Sequence, residues 1–165
     1  MHTKIWLSAP HQTGKEQVYL QEVLDCNWLA PNGHQVRLFE ANLSKYVAMD
    51  QQSPAVVMTS SGTSAIHLGL RLLGVQKDDV VLCQTLTFVG TVNPVLYLGA
   101  TPVFVDSELR SWNMCPLALE EAILYCLSHL KKPKAIIVVD LYGNPADWYS
   151  LKCVASRYGI PILED

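Results

Sequence analysis

Residues 59–74 read Thr-Ser-Ser-Gly-Thr-Ser-Ala-Ile-His-Leu-Gly-Leu-Arg-Leu-Leu-Gly, a cluster of small hydroxyl residues around one glycine at the mouth of an apolar helical pattern whose single formal charge is Arg71. A helix start exposes unpaired N–H groups and carries partial positive charge. Gly62 would let a ligand approach the backbone, and the hydroxyls of Ser61, Thr63 and Ser64 would add donors. Such a start is suited to a phosphate, although the same residues also suit an ordinary Ser/Thr cap. Neither Gly-x-Gly-x-x-Gly nor Gly-x-x-x-x-Gly-Lys-Ser/Thr is present, so the two commonest nucleotide motifs lend no support. A second candidate is Gln84-Thr-Leu-Thr-Phe-Val-Gly-Thr91, where Phe88 would either stack on a planar ring or pack into the core. A third is Glu164-Asp165, which follows an apolar run. A carboxylate there is costly unless it is paired or exposed, and a cationic ring nitrogen would be a suitable partner.

The elements that must hold these residues follow from hydrophobic periodicity. Two helices are expected first, over 15–28 and 35–47, separated by the turn residues Ala30-Pro31-Asn32-Gly33. From residue 55 onward, short runs rich in Val and Ile at 55–58, 79–83, 102–106, 135–140 and 160–164 read as strands. Longer segments at 63–73, 88–98, 116–130 and 146–158 read as helices between them. Alternation of this kind predicts an α/β fold in three layers, with a mainly parallel sheet and helical crossovers. Pro94 conflicts with a continuous helix over 88–98 and predicts a kink. The expected division is an N-terminal helical segment, 1–54, followed by an α/β domain, 55–165.

In a parallel sheet the strand-to-helix turns lie at the carboxyl edge, where ligands bind. Residues 62–64, Phe88 and Asp165 therefore share one edge, and Asp140 in Val139-Asp-Leu-Tyr-Gly-Asn-Pro145 is placed there too, in a segment that also reads as a turn. Phosphate grip, ring stacker and carboxylate together form the protein's half of a pyridoxal phosphate site, which further requires a lysine.

The bulk composition narrows the alternatives. A net charge of −3 with scattered basic residues argues against a nucleic-acid partner, and the run Lys131-Lys132-Pro133-Lys134 reads as a solvated loop. The five cysteines lack Cys-x-x-Cys spacing, which points to reduced, mostly buried thiols rather than disulfides or a metal site. No signal peptide or membrane span is legible, and a cytoplasmic protein is expected.

The segments Ser60-Ser-Gly-Thr-Ser-Ala-Ile-His-Leu-Gly-Leu-Arg-Leu-Leu-Gly74, Thr87-Phe-Val-Gly-Thr-Val-Asn-Pro-Val-Leu-Tyr-Leu-Gly-Ala-Thr-Pro-Val-Phe-Val-Asp106, Asp140-Leu-Tyr-Gly-Asn-Pro-Ala-Asp147 and Ile160-Pro-Ile-Leu-Glu-Asp165 resemble, in order and spacing, the DegT/DnrJ/EryC1/StrS family of sugar aminotransferases. The motifs Lys4–His11 and Asn27–Gly33 resemble members that aminate nucleotide-linked keto-sugars. The resemblance implies the large domain of the aspartate-aminotransferase fold, pyridoxal phosphate as cofactor, and a homodimer. It also implies transfer of an amino group, usually from glutamate, to a nucleotide-linked keto-sugar in glycan sugar biosynthesis. Carried over residue by residue, Gly62, Thr63 and Ser64 would hold the phosphate, Phe88 would stack on the ring, and Asp165 would pair with the ring nitrogen. Ser61 stands where asparagine is frequent, and Asp140 where many members have histidine.

In the family, the Schiff-base lysine lies beyond the Glu-Asp strand. The lysines here are at 4, 15, 45, 77, 131, 132, 134 and 152, and none matches it. The pattern at 160–165 also reads as the interior of a domain rather than its periphery. The expectation is thus a partial, truncated large domain without transaminase turnover of its own, with apolar surface exposed around strand 160–164 that promotes a dimer or larger assembly. The competing expectations are a non-catalytic fragment that binds pyridoxal phosphate or a nucleotide-sugar, or docks on a full-length relative, and a folded remnant that binds nothing.

Overall fold

A computed structural model of the chain describes residues 4–6, 9–48 and 53–165. The Lys4–His11 motif falls partly outside them, at Leu7 and Ser8. The chain divides into two compact units, Met1–Met58 and Thr59–Asp165.

The first unit holds two helices, α1 (Glu16–Asp25) and α2 (His34–Tyr46). The carboxylate of Glu16 fastens the start of α1 by accepting from Thr13 N at 2.7 Å, Thr13 Oγ1 at 2.9 Å and Gly14 N at 2.9 Å. The connecting turn places Asn27 and Asn32 in the left-handed region, at φ 51° and 62°, which asparagine tolerates. Neither helix buries a residue.

The second unit is the α/β layer structure. After α3 (Gly62–Leu72) come β1 (Val80–Gln84), a 3₁₀ turn (Val89–Thr91), α4 (Asn93–Tyr97), β2 (Thr101–Val105), α5 (Pro116–His129), β3 (Ala135–Val138), α6 (Trp148–Tyr158) and β4 (Ile162–Glu164). The strands form one parallel sheet in the order β2-β1-β3-β4, with Leu82 opposite both Val103 and Ile136, and Ile137 opposite Leu163. Both faces are covered. Val80, Leu82, Ile136 and Val138 pack with Leu119 and Ile123 of α5 and Leu151 of α6. Val81, Cys83 and Ile137 pack with Ile66 and Leu70 of α3 and Val95 of α4. Burial of β1 and β3 on both faces accounts for their reading as unbroken apolar runs, whereas the outer strands β2 and β4 are partly exposed.

Two expectations are corrected. Residues 55–58 form no strand; Met58 N–H donates instead to the Glu40 carboxylate at 2.8 Å. Apolar β-branched residues supply propensity, but a strand exists only through a hydrogen-bonded neighbour, and the described sheet has four strands rather than five. The expected helix over 88–98 is also not continuous. It divides into the 3₁₀ turn and α4, and Pro94 occupies the first turn of α4, where its missing N–H leaves no bond unmade. No helix among the described residues is long and apolar enough to cross a membrane.

Candidate functional site

The strand order locates the crevice. The chain leaves β1 for α4 on one face of the sheet, whereas it leaves the adjacent β3 for α6 on the other. Loops that diverge from neighbouring parallel strands open a cleft at their carboxyl ends. Gln84, fully buried at the end of β1, ties the two loops together. Its Nε2 donates to Leu86 O at 2.8 Å, and its Oε1 accepts from Val139 N at 3.2 Å.

At this edge α3 begins. Ser61 is its N-cap, accepting from Ser64 N at 3.2 Å, and its Oγ lies 3.0 Å from Ser64 Oγ, which in turn lies 3.1 Å from Ser60 Oγ. Capping therefore falls to Ser61. The N–H groups of Gly62 and Thr63 find no acceptor among the described residues, and apart from its chain neighbours and its own helix backbone nothing described lies within 4 Å of where a Gly62 side chain would be. The donors and the open space fit a phosphate group.

The 3₁₀ turn that follows β1 gathers the other parts. Phe88, at its N-cap, is 78% exposed, so the ring is presented rather than buried. Gly90 is so close to α3 that an added Cβ would stand 2.7 Å from Thr63 Oγ1 and 2.9 Å from Phe88 Cδ1. Thr91 Oγ1 donates to Asp165 Oδ2 at 2.5 Å and lies 2.8 Å from Thr87 Oγ1. The Asp165 backbone continues the sheet, with N donating to Val138 O at 2.9 Å and O accepting from Asp140 N at 3.1 Å. One short turn thus links residues from Gly62-Thr63, Phe88 and Asp165. Gly90 and Thr91 were not singled out in the sequence; their only signal was their place in the Thr-Phe-Val-Gly-Thr stretch.

Asp140 stands at the same edge, and its Oδ1 is taken by its own loop, accepting from Ala146 N at 2.8 Å and Trp148 Nε1 at 3.1 Å. Helix α6 starts at Trp148 with Asp147 as N-cap, so Asn144-Pro145 belongs to the preceding turn. Of the lysines in this unit, Lys77, Lys131, Lys132 and Lys134 precede strands, at the amino edge, and Lys152 rests over the Trp148 indole. All five cysteines are free. Cys83 and Cys126 are buried, and burial pushes the Cys83 thiol up to about 12. Cys26 and Cys153 are exposed, against the expectation of mostly buried thiols.

Residues 10–165 match the DegT/DnrJ/EryC1/StrS aminotransferase family. The chain belongs to that family. It is 47% identical over 165 residues to EpsN of Bacillus subtilis (strain 168), a protein named as a pyridoxal phosphate-dependent aminotransferase, and covers all of this chain and 42% of EpsN. It is 36% identical to the GDP-perosamine synthase of Escherichia coli O157:H7, over 94% of this chain and 40% of that protein. A crystal structure of a DegT DnrJ EryC1 StrS aminotransferase from Brucella abortus superposes with a TM-score of 0.83 at 32% identity, over 90% of this chain and 39% of that one. NtdA of Bacillus subtilis, solved with bound cofactor PMP, superposes at 0.79 with 33% identity, over 90% of this chain and 32% of its own. The chain spans about two fifths of the length of the curated relatives it matches.

Proposed function

We propose that this chain is the cofactor-gripping part of a pyridoxal phosphate-dependent aminotransferase that acts on a nucleotide-linked keto-sugar. The N–H groups of Gly62 and Thr63, with the Thr63 and Ser64 hydroxyls, would hold the phosphate. Phe88 would cover the ring, and Asp165 would pair with the ring nitrogen. When bound, the cofactor supplies an electron sink for amino-group exchange. The chain's own residues bind it, orient it and keep a carboxylate beside its nitrogen. The observation that carries this reading is the 3₁₀ turn, which touches Thr63 through Gly90, presents Phe88, and holds Asp165 through Thr91. The keto-sugar substrate is supported by the relatives' names and glutamate as donor by the family; the free thiols fit a reducing cytoplasm.

A second reading is favoured by the lysine placement: the chain binds the cofactor or a nucleotide-sugar without turning over, and associates with a further copy through exposed apolar residues such as Leu72, Leu96 and Tyr97. Titration with pyridoxamine 5′-phosphate tests the common core of both, because its amine cannot condense with surface lysines as an aldehyde would. Saturable binding that weakens in Thr63→Ala, Phe88→Ala and Asp165→Asn supports the site. Binding that is indifferent to all three would sink it. Amino transfer to a keto-sugar by the chain alone would decide against the second reading, and a monomer in sedimentation at high concentration would remove its association.

A further inference from the structure

We infer that Thr87 and Thr91 form a directed hydroxyl relay that grips one oxygen of Asp165 and leaves the other for the cofactor's ring nitrogen. The inference rests on the proposed cofactor site and adds two positioning residues to it. Thr91 is 2% exposed, one of the few polar residues buried in this unit. A buried threonine in a helical turn commonly returns its hydroxyl to a backbone carbonyl one turn earlier. Here the residue one turn earlier is Thr87, and Thr91 meets its side-chain oxygen at 2.8 Å instead.

The direction follows from counting protons. An ionised carboxylate only accepts, and a hydroxyl has one proton to give. Thr91 gives its proton to Asp165 Oδ2 at 2.5 Å. The Thr87 hydroxyl must then donate to Thr91, so both dipoles point toward the carboxylate. Asp165 does not need this bond to stay in the sheet, since its N–H and C=O are already paired with Val138 and Asp140. The relay therefore orients the carboxylate rather than the backbone. Its Oδ1 has no partner among the described residues. The loop that carries Thr87 is fixed from beneath by the Gln84 side chain bonded to Leu86 O, which gives the relay a rigid base.

The test compares Thr91→Val, nearly isosteric but without the hydroxyl, with Thr91→Ser, which keeps it. Each variant is titrated with pyridoxamine 5′-phosphate labelled with ¹⁵N in the ring, and the ring-nitrogen shift reports protonation. Thr91→Val is expected to bind about tenfold more weakly, the scale of a lost hydrogen bond to a charged group, and its ring signal to move toward the unprotonated position. Thr91→Ser should keep the parent signal. Thr87→Val should shift both readouts in the same direction by less, and it carries the test if Thr91→Val does not fold. An unchanged affinity and shift in Thr91→Val, or a Thr91→Ser variant as impaired as Thr91→Val, overturns the relay. Loss of affinity in Asp165→Asn without loss in Thr91→Val removes the relay alone. A parent chain that does not bind, or is indifferent to Asp165→Asn, removes the cofactor site and the relay with it.

Discussion

Replacing Gly90 by alanine tests how tightly the turn is pressed against α3. Gly90 is buried, and its φ lies outside the left-handed region, so alanine meets no backbone penalty there. The penalty is steric: the new methyl would lie 2.7 Å from Thr63 Oγ1 and 2.9 Å from Phe88 Cδ1. Phe88 is exposed and can swing aside, so the Thr63 hydroxyl decides the outcome. Overpacking of this kind costs about 1–3 kcal/mol, partly offset by about 0.4–1 kcal/mol from the stiffer unfolded chain. The midpoints of these ranges leave a net destabilisation of about 1.3 kcal/mol, expected in urea denaturation. Adding Thr63→Ala removes the obstructing oxygen, so the double variant should recover stability, with a coupling energy above about 0.5 kcal/mol. It should not recover pyridoxamine phosphate binding, because the hydroxyl proposed to hold the phosphate is gone. Parent stability in Gly90→Ala, or strict additivity with Thr63→Ala, would refute the packing argument.

Glu16 provides a pH test in the first unit. Backbone and side-chain donors, led by Thr13 N–H, lower its carboxyl from 4.5 to about 2. The folded form therefore binds a proton more weakly than the unfolded form; the stabilisation of α1 is complete above pH 4.5 and is lost as pH falls toward 2. Amide NMR signals of α1 should weaken across that window in the parent and not in Glu16→Gln, and identical profiles would contradict this. Ellman's reagent should label Cys26 and Cys153 in the folded chain and reach Cys83 and Cys126 only after unfolding; fast labelling of Cys83 would contradict its burial. Asp140→His should destabilise the second unit by about 1–3 kcal/mol in urea denaturation, and an unchanged midpoint would show that the carboxylate is not needed by its loop.

The second unit was largely legible because its two central strands, β1 and β3, are buried on both faces. Val80–Cys83 and Ala135–Val138 announce themselves as unbroken apolar runs, and the intervening helices begin and end within a few residues of the periodic pattern. What failed was whatever depended on neighbours. Residues 55–58 carry strand-type residues but no described pairing partner, and Pro94 read as a kink when it begins a new helix. Cys153, between Lys152 and Val154 in sequence, is turned outward on α6. The site divides the same way. Glycine and hydroxyls at a helix start, and an aromatic after a strand, are local patterns with a local reason. The contacts of Gly90 with Thr63 and of Thr91 with Asp165 join residues distant in sequence, and no spacing encodes them.

Asp140 shows how such contacts redirect a residue that its position alone would assign to the ligand edge. Its carboxylate accepts two N–H groups, from the Ala146 backbone and the Trp148 indole, and so closes the loop between β3 and α6 on itself. A neutral imidazole offers one acceptor nitrogen. A histidine at this place would leave one of those donors to another partner or to water. The aspartate therefore brings a different fastening of the loop. In the same loop Tyr142 stands at φ 54°, a conformation uncommon for a bulky side chain, with its ring 84% exposed. Asn113, fully buried, completes the fastening by accepting from Leu141 N at 3.0 Å and donating to Asn144 O at 2.8 Å. Asp165 is held differently: Thr91 takes one of its carboxylate oxygens, and the turn carrying Gly90 and Thr91 is what fixes its direction.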